Sequence, residues 1–395
     1  MKRAMGSANN FFHLILLVML CLLGVFPLDV ILPSFPALAD EYRVEPKYIA
    51  YSVSFFAFGV ALSQLVIGPL SDVMGRKNLL LAGLGISILG AVGCIFSTTY
   101  ETFITFRLVQ AVGCGSFVLG QALVQDLYVG KRRNAMRILL TSASGLFISL
   151  SPIAGAFIQQ SFGWEGGFTV FVVIAVIVSF LSWVLLNDTS ILCRRALCLR
   201  IFIIMLSDSK YLANSMLSGL AFSCHFSFIV IAPLLLMDLV GLTSYQFSIV
   251  FIAYGLAYVA GGAGAAFLNR RVSPQAQIRM GFMLIGAAGI MILFWERVAG
   301  LTVAGIMLPM IICTTGTILV RPAATTQALA RYPEQAGAAA SLNMTLLFAS
   351  GGFAGSLIAS GQSALPMSLG LLFLACTVSA WLLLLCIKGD EVQHC

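Results

Sequence analysis

Charge is scarce in this chain of 395 residues: only 9% are Asp, Glu, Lys or Arg, against roughly a quarter in soluble domains. Hydrophobic residues make up 60% of the chain, and the mean hydropathy is +1.01, which excludes a soluble fold. Histidine is nearly missing, with only His13, His225 and His394, so neither a metal cluster nor a nucleophile with its base is in view. Twelve spans of about 20 residues use about 240 positions and leave only short loops. That excludes a large extramembrane catalytic domain, a nucleotide-binding domain and any nucleic-acid module, so no nucleic acid is expected as a partner. The apolar runs are continuous instead of alternating, which excludes a transmembrane β-barrel. Gly83-Leu84-Gly85 has no third glycine at the needed spacing, and Cys193 and Cys198 lack the second pair a zinc site needs. No cofactor, metal or disulfide framework is expected.

The apolar runs lie at about 11–36, 48–70, 79–97, 101–124, 136–160, 167–187, 212–236, 245–268, 277–296, 299–320, 337–361 and 366–387. They predict an all-α membrane protein of 12 transmembrane helices. With the N-terminus inside, the segments on that side hold about 18 of the 22 basic residues, including Arg321. The other side has only Arg43, Lys47 and Arg297, and Arg107 lies within a span. Both termini are therefore expected in the cytoplasm. Lys2-Arg3, the first apolar run and Ala37-Leu38-Ala39 imitate a secretory signal. The run is long for a signal, however, and contains Asp29, Pro27, Pro33 and Pro36, so an uncleaved first helix fits better. The basic loop at about 188–211 divides the chain into an N-terminal six-helix bundle (1–187), a cytoplasmic linker (188–211) and a C-terminal six-helix bundle (212–395). Paired halves of this kind place a substrate site between them near the midplane.

A charge in the hydrocarbon region costs at least about 2.5–3.5 kcal/mol, so the few found there are functional candidates. Asp29 in span one and Arg107 in span four are the clearest, and His225 is the one histidine inside a span. Burial favours a neutral carboxyl and a nearby cation favours the carboxylate, so Asp29 reads as a proton carrier and Arg107 as its electrostatic partner. The plainer alternative is that Asp29 reaches water at the outer end of its helix. His225 can titrate, or it is a hydrogen-bonded packing residue beside Cys224 and Phe226. Tyr254 and Tyr258, four apart on one helical face, either line a cavity or pack. Trp164 and Trp295 fit an outer interface belt.

Between spans two and three the chain reads Gly68-Pro69-Leu70-Ser71-Asp72-Val73-Met74-Gly75-Arg76-Lys77. Glycine permits a tight turn, and Asp72 with Arg76 and Lys77 offers a charge network that can hold helix ends together. This loop resembles the signature G-x-L-S-D-x-x-G-R-K of the major facilitator superfamily at each specified position. Arg107-Leu108-Val109-Gln110, with Gly113 and Gly115, is similar to the span-four motif of that family. Ser151-Pro152-Ile153-Ala154-Gly155-Ala156 resembles its antiporter motif, with Ser151 and Ala156 in place of glycines. Asp29-Val30-Ile31-Leu32-Pro33 resembles the acidic first-helix motif of drug:proton antiporters, particularly the bicyclomycin-resistance branch. Pro233-Leu234-Leu235, Gly241-Leu242-Thr243, Phe247 and Arg321-Pro322-Ala323 also look like that branch.

The resemblance implies a multi-pass exporter of the bacterial inner membrane that alternates between inward- and outward-facing states and works as a monomer. Asp29 and Arg107 would couple protons. Asp29, Arg107, Gln110, His225, Tyr254 and Tyr258 would line the substrate cavity, and Gly68, Asp72, Gly75, Arg76, Lys77, Pro152 and Gly155 would gate it. One acid and one arginine within the membrane favour neutral, zwitterionic or anionic amphipathic substrates over dicationic dyes. A drug and a native metabolite such as a carboxylate siderophore both fit. The partners are thus a small molecule, protons and the bilayer, and no stretch is long enough to reach an outer-membrane partner across a periplasm. A proton-coupled importer or a transporter-like membrane sensor are the alternatives, the former favoured by the altered span-five motif.

Overall fold

The computed structural model describes residues 7–128, 130–186, 199–268, 271–361 and 364–392, and every regular element among them is helical. The first half comprises α1 (Ser7–Asp29), α2 (Phe35–Tyr42), α3 (Pro46–Met74), α4 (Arg76–Ile95), α5 (Tyr100–Cys114), α6 (Leu119–Leu127), α7 (Gly130–Phe162) and α8 (Glu165–Leu185). The second comprises α9 (Leu199–Ser207), α10 (Ser209–Pro233), α11 (Ser244–Leu268), α12 (Pro274–Ala299), α13 (Val303–Ala330), α14 (Ala336–Ala359) and α15 (Leu365–Val392). Among the described residues, 11 stretches are long and apolar enough to cross a membrane. The expected span 136–160 falls on α7, which is 33 residues long, but its described apolar part is only Leu146–Phe162.

Helix ends and breaks follow local chemistry. Thr99, Asp208, Ser273 and Thr302 cap α5, α10, α12 and α13 by accepting hydrogen bonds from first-turn backbone N–H groups. The single span expected at 11–36 is two helices separated by a 3₁₀ turn at Leu32–Ser34. Pro33 and Pro36 lack the N–H groups that would continue α1. The fourth span is likewise interrupted by a 3₁₀ turn at Gly115–Val118, and α10 passes after Pro233 into a π turn at Leu234–Leu239. Two further differences concern boundaries. Residues 199–207 of the expected linker form α9, while 187–198 lie outside the described residues. The tenth span does not stop at 320, because α13 continues through Pro322 to Ala330.

Helices in lipid gain little from hydrophobic burial against one another, so packing and hydrogen bonds hold them. At the end carrying the basic loops, Ser341 of α14 donates to the Gln64 carbonyl of α3, and Thr345 donates to the Ala61 carbonyl at 3.1 Å. At the opposite end, Ser248 of α11 donates to the Pro152 carbonyl of α7 at 2.8 Å, and Ser244 to the Pro33 carbonyl at 3.2 Å. The two halves therefore meet at both ends, through α3 with α14 and through α7 with α11. Inside the first half, Tyr42, Phe103, Trp164 and Phe168 form an aromatic box. Trp164 is buried there, which corrects its assignment to an interface belt: its indole closes the helix packing from within.

Candidate functional site

Asp29 is the last residue of α1. It is 5% exposed, so it does not reach water by way of a frayed helix end. Its placement depends on the break that follows, and that break is held by α7. Gly155 lies so close to Val30 that a Cβ there would overlap the Val30 carbonyl oxygen. Pro152, one turn before Gly155 on α7, contributes its carbonyl to the Ser248 hydroxyl of α11. One short segment of α7 thus touches both the backbone beside Asp29 and the start of α11.

Arg107 is fully buried, and both of its terminal nitrogens have acceptors while its Nε has none. Its Nη1 donates to Gln110 Oε1 at 2.8 Å and its Nη2 to the Pro27 carbonyl at 3.2 Å. Its guanidinium lies 4.4 Å from the Phe56 ring centroid and 5.6 Å from that of Phe168, a geometry suited to cation–π attraction. The ion pair expected between Asp29 and Arg107 is not formed in this conformation; the guanidinium holds the backbone two residues before the carboxyl. Arg107, Gln110 and Gly155 line a small cavity of about 10 Å³, on the order of one water molecule. Gln110 therefore acts here as an arginine partner within the first half.

In the second half the structure brings together three residues expected from sequence. The Tyr254 hydroxyl and His225 Nδ1 are 2.5 Å apart, with the rings stacked at 5.5 Å and 14°. The Tyr258 ring lies 5.8 Å from that of His225. Tyr254 is fully buried and His225 nearly so. A fourth member was missed: Arg321 sits about two and a half turns before the end of α13, with its guanidinium 4.9 Å from the Phe222 ring centroid. The apolar run that predicts this span ends at 320, which sets Arg321 on the cytoplasmic side. The signal that could have found it is the run of small and apolar residues after Pro322, since proline is tolerated inside transmembrane helices.

Of the expected gating residues, Pro152 and Gly155 lie at the end away from the basic loops, and Gly68, Gly75, Arg76 and Lys77 lie at the basic end. Gly75 turns the chain between α3 and α4 at φ 83°, a conformation that requires glycine. Arg76 Nη1 donates to the Ala122 carbonyl at 2.5 Å, tying α4 to α6. Lys77 is half-buried, and Gly68 packs on Ser341, where a Cβ would come within 2.7 Å of the Ser341 Cβ. The Asp72 side chain lies outside the described residues. A cavity of about 280 Å³ opens between the halves, lined by residues that include Cys21, Phe56, Gln64, Ser144 and Phe348. Its size approaches that of small-molecule sites.

Comparison with known proteins accords with this architecture. The model of the Major Facilitator Superfamily matches residues 14–356. A bicyclomycin resistance protein homolog of Haemophilus influenzae is 27% identical over 379 residues, covering 91% of this chain and 92% of that protein. The multidrug resistance protein MdtL of Citrobacter koseri is 25% identical over 93% of this chain and 94% of its own length. The crystal structure of the human organic anion transporter MFSD10 (TETRAN) superposes with a TM-score of 0.74 over 96% of this chain and all of that one. At 17% identity it is evidence of the shared fold alone.

Proposed function

The chain belongs to the major facilitator superfamily, whose members are transporters and not enzymes, and we propose that it is a proton-coupled antiporter. On this reading it exports a small amphipathic organic compound across the bacterial inner membrane by alternating access. α7 supplies the fifth of twelve crossings, both termini face the cytoplasm, and 1–187 and 212–395 are the two moving halves joined by 188–211. The basic end is then the cytoplasmic end. The drug-resistance relatives favour efflux over import, and the substrate is a drug or a native metabolite such as a carboxylate siderophore.

The observation that carries this reading is Asp29: a buried carboxyl in the first span, at a helix break between the halves, with no ion pair among the described residues. An unpartnered charge in such surroundings is costly, and binding a proton removes it. Opening of the far end would return Asp29 to water, where the proton is exchanged. Gly68, Asp72, Gly75, Arg76 and Lys77 hold or release the cytoplasmic ends, while Pro152 and Gly155 govern the opposite seal. Arg107 and Gln110 fix the backbone of α1 beside the carboxyl, so Asp29 moves with a defined frame.

Proton release from acidified inverted vesicles tests this. A pH-sensitive dye reports the gradient while cationic dyes, neutral antibiotics and carboxylate siderophores are added, with Asp29→Asn in parallel. Dissipation by one substrate class that is lost in Asp29→Asn is the expected result. Equal activity in Asp29→Asn would remove the carboxyl from its role.

A further inference from the structure

We propose that Arg321 is an anion-recognition site of the second half, which takes the carboxylate of an amphipathic substrate whose apolar body lies against Phe222 and Phe348. The argument begins with one face of α13. Thr314, Thr317, Arg321 and Thr325 recur at helical spacing, and this face is turned toward α10. Thr317 donates to the Ala221 carbonyl at 3.1 Å, and the Thr325 and Ser218 hydroxyls are 3.1 Å apart. Arg321 stands between these two contacts, so its guanidinium is directed over the Phe222 ring and toward the bundle interior.

The contrast with Arg107 is chemical. Arg107 has side-chain and backbone acceptors on both terminal nitrogens. Among the described residues neither arginine makes an ion pair and the Nε of each is buried without an acceptor, so the difference lies in the terminal nitrogens, which are bonded only in Arg107. Arginine stays charged at any physiological pH, and Arg321 is half-buried, so its cation is partly desolvated without a counter-ion beside it. An anion from outside the protein would supply the missing counter-charge. The cavity between the halves ends one ring away: Phe348 lines it, and Phe222, which does not, packs edge-on against Phe348 at 5.3 Å, so a ligand would reach Arg321 by displacing these rings. The planar guanidinium matches a carboxylate by paired hydrogen bonds, and the two phenyl rings supply an apolar surface beside it. An aryl or alkyl carboxylate is therefore the ligand class, in which the acid is met by Arg321 and the body by aromatic faces.

This inference deepens the transport reading and rests on it for the substrate's route. Its test measures binding without a gradient, so failure of proton coupling and failure of carboxylate recognition are separate results. The full chain in nanodiscs is titrated with 1-naphthoate and with its uncharged isostere 1-naphthamide. The wild type should bind the carboxylate at least about tenfold more tightly. Loss of one charge-assisted hydrogen-bonding partner corresponds to about a tenfold to hundredfold change, so Arg321→Gln should weaken naphthoate by that factor and leave naphthamide within about threefold. Arg321→Lys keeps the charge without the planar fork and should fall between the two. If the glutamine variant does not fold, the lysine variant decides, with a loss of about threefold or more for naphthoate alone as the supporting result. Absence of carboxylate preference in the wild type, equal loss of both ligands, or unchanged naphthoate affinity in the deciding variant would overturn the assignment.

Discussion

Replacing Gly155 by alanine adds a single methyl group at the contact between α7 and the break after Asp29. That methyl would overlap the Val30 carbonyl oxygen and lie 3.1 Å from the carbonyl carbon and 3.2 Å from the Cα. These are backbone atoms, so no side chain can swing aside; either α7 or the break must move. Overpacking of this kind costs typically about 1–3 kcal/mol. The cost falls only on the conformation in which α7 and Val30 touch, so it shifts the equilibrium away from the sealed far end by about 5- to 150-fold. A reporter is available at Ser34, which is buried beside the same break. In a background with the native cysteines replaced, Ser34→Cys should react slowly with an impermeant maleimide. Adding Gly155→Ala should raise that rate by the stated factor, provided opening is faster than labelling. An unchanged labelling rate in a folded double variant would refute the claim that this contact holds the seal.

Two other measurements test the described geometry. Tyr254→Phe and His225→Phe should each lower thermal stability by about 1–3 kcal/mol by stranding the other partner of the buried hydrogen bond; their effects should be non-additive by at least about 0.5 kcal/mol in a double-mutant cycle, and strict additivity would count against a shared bond. At the basic end, partial burial pushes the Asp208 carboxyl up, but the Arg331 guanidinium, the Tyr211 backbone N–H and the Tyr332 hydroxyl outweigh it and hold the group below its ordinary value. The sign follows: this contribution is complete above the ordinary carboxylate range and is lost as pH falls through the lowered value. Arg331 and Asp208 are 2.6 Å apart at the partly exposed end of the bundle, so the pair contributes about 0.2–1 kcal/mol. The stability difference between wild type and Asp208→Asn should shrink between pH 7 and pH 3, and a pH-independent difference would contradict it.

The helical architecture was legible in the sequence because the bilayer imposes it: long apolar runs have few alternatives. Charges within those runs were legible for the same reason, which is how Asp29, Arg107 and His225 came forward. Partnership between them was not. Arg107 is solved locally, by Gln110 one turn along its own helix and by a carbonyl of α1, and a distant backbone carbonyl leaves no mark in a pattern of side chains. Arg321 was hidden by a boundary: an arginine followed by proline looks like the end of a span, whereas α13 absorbs Pro322 and runs on. Ser244 and Ser248 were invisible because a hydroxyl bonded to a backbone carbonyl can come from almost any small polar position.

The distribution of charge bears on how coupling can work. Arg107 is closed in with its own acceptors, so it has little free capacity to follow either a proton or a substrate. Asp29, beside a helix break, and Arg321, across the interface on α13, like Arg107 make no ion pair among the described residues, but Arg107 has neutral acceptors on both terminal nitrogens. On the proposed reading the proton and the substrate anion are therefore held by different halves, and the link between them must be mechanical. α7 is placed to supply it. Gly155 abuts the Val30 backbone, and the Pro152 carbonyl, one turn earlier, accepts from Ser248 at the start of α11. Less than two turns further along α11, Tyr254 is bonded to His225, whose helix also carries Phe222 beneath Arg321. Any shift of α7 that releases Asp29 must break or drag the contact with α11, and through Tyr254 and His225 it reaches the helix on which the anion site is built.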